Sequence, residues 1–302
     1  MKHFLLAGEK GRNDFFSHAL TIALVVGTLA IFSMIPVWIY AIQTNQTQIS
    51  TALLQKHFGS NLLFLFNLLP IALGLGTLWL CVRYIHKRKF VTLITIRKAP
   101  DLKRILFSFL IWMAFLFLFF VLNLFLSPEE ISWNFQPAQF GILLLISLVF
   151  VSIQCLFEEI FFRGYLLQAF GSTIPNKWIP ALLSCGIFTL MHFQNPEVEL
   201  LGWGALLYYF ATAIFLTWIT VIDDGIELSS GFHIANNLFG ALWLTNDWQV
   251  FQTDALFRSH AAAEINSFHW ITILAVYPLL MYLYSKKYGL SPRKLFESYK
   301  HD

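Results

Sequence analysis

Two adjacent glutamates stand inside one of the most apolar stretches of the chain, CLFEEIFFRGYLL, where Glu158 and Glu159 precede Arg163. A carboxylate placed in hydrocarbon is expensive, so acids inside a membrane segment usually have a function. On a helix, Glu159 and Arg163 share one face at the i, i+4 spacing that suits an ion pair. Glu158 lies about 100° around the helix from them. We therefore expect Arg163 to neutralise Glu159 and Glu158 to be available for chemistry.

Two further apolar stretches carry polar side chains at helical spacing. In FTLMHF, His192 follows Phe188 by one turn, and in GFHIANNLF, His233 and Asn237 are i, i+4 and share a face. Alone, an intramembrane histidine or asparagine is often a hydrogen-bonding link between helices. A spare carboxylate, two histidines and an amide on three helices are better explained as parts of one site.

The positions of Glu158 and His192 relative to the loop 171–179 predict that they meet. Glu158 lies about 12 residues before that loop and His192 about 13 after it, which is roughly 18–20 Å along each helix. Antiparallel neighbouring helices would then place both side chains at the same depth.

This set of residue types is suited to amide hydrolysis. Hydrolysis needs an activated water and hydrogen-bond donors for the developing oxyanion. Glu158 can act as the general base, while Asn237 and a ring N–H of His233 can donate to the oxyanion. Cys155 and Cys185 are flanked by apolar residues, so neither resembles an activated nucleophile.

A metal-dependent version would use the same side chains. Glu158, His192 and His233 match the His₂Glu ligand set of many zinc hydrolases. However, no H-E-x-x-H motif is present, and using Glu158 as a ligand leaves only the arginine-paired Glu159 as a nearby base. We expect no metal cofactor and keep zinc as the alternative.

The composition shows what kind of protein must position these groups. Of the 302 residues, 57% are hydrophobic and 12% are charged, whereas a soluble domain has about 25% charged residues. The chain is therefore predicted to be an all-α polytopic membrane protein with about eight spans. The spans are Phe16–Ile42, Asn61–Val82, Ile105–Leu126, Gln139–Phe170, Ile179–Phe193, Leu200–Ile222, Phe232–Leu244 and Trp270–Tyr284.

Basic residues predict the orientation of these spans. Loop 83–104 carries eight lysines and arginines and the C-terminal tail carries more, so both are expected in the cytoplasm, as are both termini. The acidic loop Asp223–Gly231, DDGIELSSG, falls on the same side and fits the rule less well. The chain is predicted to be an integral protein of the bacterial plasma membrane, so the lipid bilayer is one of its partners. No cluster of basic and aromatic residues predicts a nucleic-acid surface.

The chain reads as one membrane domain in three parts. Residues 1–135 contain spans without a recognised motif, and residues 136–245 contain the motif-bearing helices. Residues 246–302 contain an outer loop, the last span and a basic tail.

The motifs resemble those of the CAAX protease and bacteriocin-processing family, also called Abi. Their order and spacing match E-E-x-x-x-R, F-x-x-x-H and H-x-x-x-N, over roughly residues 140–245. The matching residues are Glu158, Glu159 and Arg163, then Phe188 and His192, then His233 and Asn237.

The resemblance implies an eight-helix membrane peptidase whose site is recessed in the bilayer and open to the cytosol. It also implies roles at the matching positions. Glu158 would activate water with help from His192, and His233 and Asn237 would hold the oxyanion. The remaining glutamate and arginine of the first motif, with the phenylalanine of the second, would support the site.

The predicted function is an intramembrane endopeptidase that cleaves a membrane-associated or lipidated peptide or protein. A non-catalytic immunity or partner-binding protein would need the same polar cluster only for binding. A proton-coupled transporter is a third hypothesis, because intramembrane carboxylates also form proton relays. The chain shows no repeated halves to favour it.

Overall fold

The apolar runs of the sequence fold into long helices joined by short connections. The computed structural model describes residues 4–174, 176 and 178–295. Four 3₁₀ turns, Phe4–Glu9, Phe90–Leu93, Pro128–Glu130 and Pro292–Leu295, accompany the longer helices. Within these described residues the helices are α1 Phe15–Thr44, α2 Thr51–Phe58, α3 Ser60–Tyr84, α4 Leu102–Leu126, α5 Pro137–Gly171, α6 Trp178–Met191, α7 Pro196–Leu201, α8 Trp203–Asp223, α9 Glu227–Leu242 and α10 Ser267–Tyr288.

Six of these helices, α1, α3, α4, α5, α8 and α10, are long and apolar enough to cross a membrane. The chain is thus an α-helical integral membrane protein, as predicted. The fifth and seventh predicted spans correspond to α6 and α9, which have 14 and 16 residues. Both are shorter than the roughly 20 residues needed to cross the hydrocarbon core. The count of eight spans and the orientation stay predictions.

Several helix boundaries differ from the predicted spans. Helix α9 begins at Glu227, not at Phe232, so His233 lies in its second turn. The cause is that Glu227 is fully buried and paired, so an acidic residue that reads as a loop belongs to a helix. Helix α6 ends at Met191, which leaves His192 just beyond its last turn.

Buried ion pairs explain the acidic loop that fits the charge rule poorly. The Arg97 guanidinium lies 2.9 Å from Asp223 Oδ1 and 3.2 Å from Glu227 Oε2, and both carboxylates are fully buried. Arg104 forms a second ion pair with Asp223. The acidic loop is therefore neutralised by the basic loop 83–104, and the two lie on the same side of the helices.

Both described ends of the chain reach this same face. Lys294 Nζ lies 2.6 Å from Asp224 Oδ2, and the backbone N–H of Phe4 donates to Asp224 Oδ1 at 3.2 Å. Residues 4 and 294 thus both lie beside the basic loop, at the same end of the helices. An even number of membrane crossings would place the two ends of the chain on one side in this way.

Helices α4 and α9 pack closely because a glycine lies between them. A Cβ on Gly231 would come within 2.2 Å of the Ile105 carbonyl oxygen, so only glycine permits this approach. Two turns further along α4, Trp112 stacks on Phe232, the residue after Gly231, with ring centroids 4.3 Å apart. This contact fixes α9, which carries His233 and Asn237.

A small sheet, absent from the all-α prediction, joins the opposite ends of these helices. It consists of β1 Ile131–Trp133, β2 Leu244–Thr245 and β3 Phe257–Ser259. The central β3 pairs antiparallel with β1 and parallel with β2. The sheet ties the connection after α4 to the loop after α9.

Candidate active site

The two glutamates lie where α5 changes its hydrogen-bonding pattern. Residues Ser152–Glu158 are α-helical and Glu159–Leu166 form a π-helical segment in which every residue is buried. Such π segments are frequently found at functional sites. Gly164 lies in this segment, and a Cβ there would come within 2.4 Å of the Leu93 carbonyl oxygen. The segment is therefore pressed against the middle of the basic loop 83–104.

Glu159 accepts hydrogen bonds from two side chains, one on its own helix and one on α9. Arg163 Nη1 donates to Glu159 Oε1 at 3.0 Å, the expected i, i+4 pair. His233 Nδ1 donates to the same oxygen at 2.8 Å. The side chains of Glu159 and Arg163 are 0% and 1% exposed. Removing one member of such a pair leaves an uncompensated buried charge.

Phe188 supports this pair from α6. The Arg163 guanidinium lies 4.3 Å from the centre of the Phe188 ring, a cation–π distance. Phe188 also packs edge-on against Phe162, which contacts Phe161 in the same way, and all three rings are buried. These phenylalanines form the core beneath the site and do not line an open pocket.

Glu158 has one oxygen bound and one oxygen free of protein partners. Gln154 Nε2, one turn earlier on α5, donates to Glu158 Oε1. Glu158 Oε2 is buried and has no hydrogen-bond partner among the described residues. It lies 3.7 Å from His233 Nε2, too far for a direct hydrogen bond. The unpaired oxygen is the one available to take a proton.

Asn237 closes a ring of side chains around Glu158. Its Nδ2 donates to Gln154 Oε1 at 3.1 Å and contacts His233 Nε2 at 3.4 Å. Its Oδ1 accepts from Asn236 Nδ2 at 3.2 Å. Gln154, Glu158, His233 and Asn237 therefore follow one another around a single small polar site between α5 and α9.

The contacts of His233 define its ring form. Nδ1 faces a carboxylate and must carry a hydrogen, and Nε2 receives an amide N–H from Asn237. These two contacts fit a neutral ring with its proton on Nδ1. In this form Nε2 is an acceptor, so His233 can donate to an oxyanion only after the ring gains a second proton.

His192 lies near the site without joining the ring of contacts. It is half-buried, and Nδ1 donates to the Phe188 carbonyl at 2.7 Å. Its ring centroid lies 4.4 Å from that of Phe188, whose ring also contacts His233 at 6.5 Å. Within the part of the chain that the structure describes, His192 has no hydrogen bond or ion pair with Glu158. Over the same described residues, Nε2 of this ring has no hydrogen-bond partner, whereas Nδ1 has one.

The proposed zinc ligands are not assembled as a metal site. Among residues 4–174, 176 and 178–295, no group of three His, Cys, Asp or Glu side chains is arranged to hold a metal ion. Glu158 and His233 are neighbours, but His192, whose Nδ1 donates to the Phe188 carbonyl, is not grouped with them.

Gln154 is the site residue that the sequence reading missed. It is buried, and it contacts both Glu158 and Asn237. A lone glutamine in an apolar helix is an inconspicuous signal. Its position four residues before Glu158, on the same helical face, was the pattern that could have identified it.

Fold and site together define a polytopic α-helical membrane protein with an acid–amide–imidazole cluster buried between two helices. Residues 139–239, which contain all three motifs, match the family model described as Type II CAAX prenyl endopeptidase Rce1-like. Over these residues, the resemblance to CAAX endopeptidases that the motifs predicted is confirmed.

One curated relative is an uncharacterised protein of Bacillus subtilis (strain 168), YyaK. It is 35% identical to this chain over 174 residues, which cover 57% of this chain and 58% of YyaK. The chain thus matches less than two thirds of that relative's length. No solved structure matches the chain.

Proposed function

We propose that this protein is an intramembrane endopeptidase in which Glu158 activates a water molecule. The observation that carries the proposal is the state of Glu158 Oε2, a buried carboxylate oxygen without a protein partner, beside His233 and Asn237. The match of residues 139–239 to an endopeptidase family supports the same reaction class.

The chemistry follows from the positions of these groups. Glu158 Oε2 removes a proton from water as the water oxygen bonds to the peptide carbonyl carbon, and the carbonyl electron pair moves onto its oxygen. When the tetrahedral intermediate collapses, the C–N bond breaks and the proton held by Glu158 passes to the departing amine. General base catalysis of this kind contributes about 10²–10⁴-fold.

Asn237 is the donor best placed for the oxyanion. Of its two Nδ2 contacts, the one to His233 is the longer, at 3.4 Å. A substrate oxygen can replace this contact while the 3.1 Å bond to Gln154 keeps the amide in position. His233 adds a second donor when its Nε2 carries a proton, and Glu159 fixes the ring through Nδ1.

His192 has a secondary role in this proposal. Its Nδ1 is fixed by the Phe188 carbonyl, so Nε2 is the atom that can hydrogen-bond to water or to the peptide. A histidine oriented in this way can exchange a proton with the reacting groups without becoming the primary base.

The proposed substrate is a membrane-associated or lipidated peptide or protein. A site on membrane helices is reached most directly by a peptide already held at the bilayer, and the matched family is described as acting on CAAX prenyl proteins. No zinc is required in this proposal.

Comparative membrane proteomics tests the function in cells. Cells that express the wild-type protein are compared with cells that express Glu158→Gln at the same level. We expect at least one membrane-attached polypeptide to lose a terminal fragment only with the wild type. Identical peptide termini in both strains, together with an unchanged phenotype, would favour a non-catalytic binding protein instead.

A further inference from the structure

A further buried carboxylate lies outside the ring of site residues and is linked to His192 through Tyr209. Glu197, on the short helix α7, is 8% exposed. Its Oε1 accepts hydrogen bonds from the Tyr209 hydroxyl and from Asn195 Nδ2, the latter at 3.1 Å. Its Oε2 accepts the backbone N–H of Val250 at 3.1 Å. Both oxygens are therefore used, and Tyr209 must be the donor in its bond to the carboxylate.

Tyr209 connects this carboxylate to His192. The ring centroids of Tyr209 and His192 are 4.5 Å apart with an interplanar angle of 34°. Phe188 contacts the same imidazole at 4.4 Å. Because Nδ1 is held by the Phe188 carbonyl, the two aromatic rings restrict the remaining rotation of the imidazole.

We propose that Tyr209, held in place by Glu197, is a positioning residue that fixes the imidazole of His192 for the reaction. This inference rests on the proposed endopeptidase function. Glu197 holds Tyr209 through one oxygen and the loop after α9 through the other, so it couples that outer loop to the orientation of His192.

A carboxylate is required at position 197 because both of its ends accept hydrogen bonds. In Glu197→Gln, one end of the side chain becomes an NH₂ group. That group cannot accept a hydrogen bond, so either the Val250 N–H or the Tyr209 O–H loses its acceptor. Glu199, exposed on the same short helix, supplies the matched control Glu199→Gln.

The test measures cleavage of an internally quenched farnesylated CAAX peptide by the purified full-length protein in nanodiscs. We expect kcat to fall about 10-fold in Tyr209→Phe and Glu197→Gln, and about 100-fold in Tyr209→Leu, because each lost hydrogen bond or ring contact acts on the reacting group. KM should stay within about twofold, since the proposal gives these residues no direct contact with the substrate. Glu199→Gln should match the wild type.

A second readout separates positioning from activity. NMR of ¹³C,¹⁵N-histidine-labelled protein, assigned with His192→Gln, reports the ring form of His192. We expect one Nδ1–H form in the wild type and a mixture of forms in Tyr209→Leu. Wild-type kcat in Tyr209→Leu, or lost activity with an unchanged His192 spectrum, would overturn the inference. If the wild-type protein cleaves nothing, the proposed function has failed, and the His192 spectra alone decide whether Tyr209 positions the ring.

Discussion

Gln154→Leu offers a sensitive test of how Glu158 is held. Leucine has a similar size and fits an apolar helix, but it cannot donate to Glu158 Oε1 or accept from Asn237, as Gln154 does. The substitution leaves the backbone unchanged and removes two hydrogen bonds from the polar ring around Glu158. Glu158, the proposed base, and Asn237, the proposed oxyanion donor, both lose their common support.

The expected loss of activity in Gln154→Leu follows from the hydrogen bond that Gln154 donates to the Glu158 carboxylate. Hydrogen bonds to charged groups contribute about 1.5–3 kcal/mol, and about 1.4 kcal/mol in an activation barrier corresponds to a tenfold rate change. We therefore expect kcat/KM to fall between about 10-fold and 150-fold. The loss should be mainly in kcat, because Gln154 acts on the reacting groups and not on substrate binding.

Gln168→Leu is the matched control. Gln168 is also a buried glutamine on α5, but it bonds to Arg88 and Thr92 and lies about 15 Å along the helix from Glu158. The substitution Gln168→Leu should lower the thermal stability without changing the cleavage rate per folded molecule. Cleavage of the farnesylated peptide and thermal unfolding are measured on the same preparations. Full activity in Gln154→Leu would refute the role assigned to Gln154.

Three further predictions concern stability and can be checked by thermal unfolding in detergent. Arg163→Gln should destabilise the protein by about 3–5 kcal/mol, because it leaves a buried carboxylate without its cation; a change under 1 kcal/mol would contradict the buried pair. Gly231→Ala should cost about 1–3 kcal/mol, because its Cβ would overlap the Ile105 carbonyl, whereas Gly186→Ala, which meets no atom within 4 Å, should be neutral or stabilising. Burial lowers the pKa of His86 below its ordinary value of 6.5, so below pH 6.5 the unfolded chain binds more protons and stability should fall as the pH decreases. His86→Gln should flatten that slope, and an unchanged slope would show that other groups cause it.

The sequence was informative where spacing along one helix determined the contact. The i, i+4 rule predicted the ion pair between Glu159 and Arg163 and the shared face of His233 and Asn237, which the structure places in contact. Both pairs depend on the geometry of a single helix, and the apolar surroundings made each polar residue conspicuous.

Contacts between segments far apart in the chain were harder to predict. Nothing in the local pattern indicates that the 2.8 Å bond of His233 goes to Glu159 and not to Glu158, because this choice depends on how α9 is rotated against α5. Glu197 was overlooked for a related reason, since its partner Val250 lies more than 50 residues away. The π-helical segment after Glu158 also has no known signature in sequence spacing.

The central claim is that Glu158 is the base that activates water, and an isosteric substitution tests it most directly. Wild-type protein, Glu158→Gln and the control Glu199→Gln are reconstituted after treatment with a strong chelator, their zinc content is measured, and their rates on the farnesylated peptide are compared. The chelated wild type and the control should cleave at the same rate, while Glu158→Gln should lose about 10²–10⁴-fold in rate with unchanged thermal stability. Two results would contradict the role of Glu158 as the base. One is cleavage by Glu158→Gln near the wild-type rate, and the other is stoichiometric bound zinc whose removal abolishes activity.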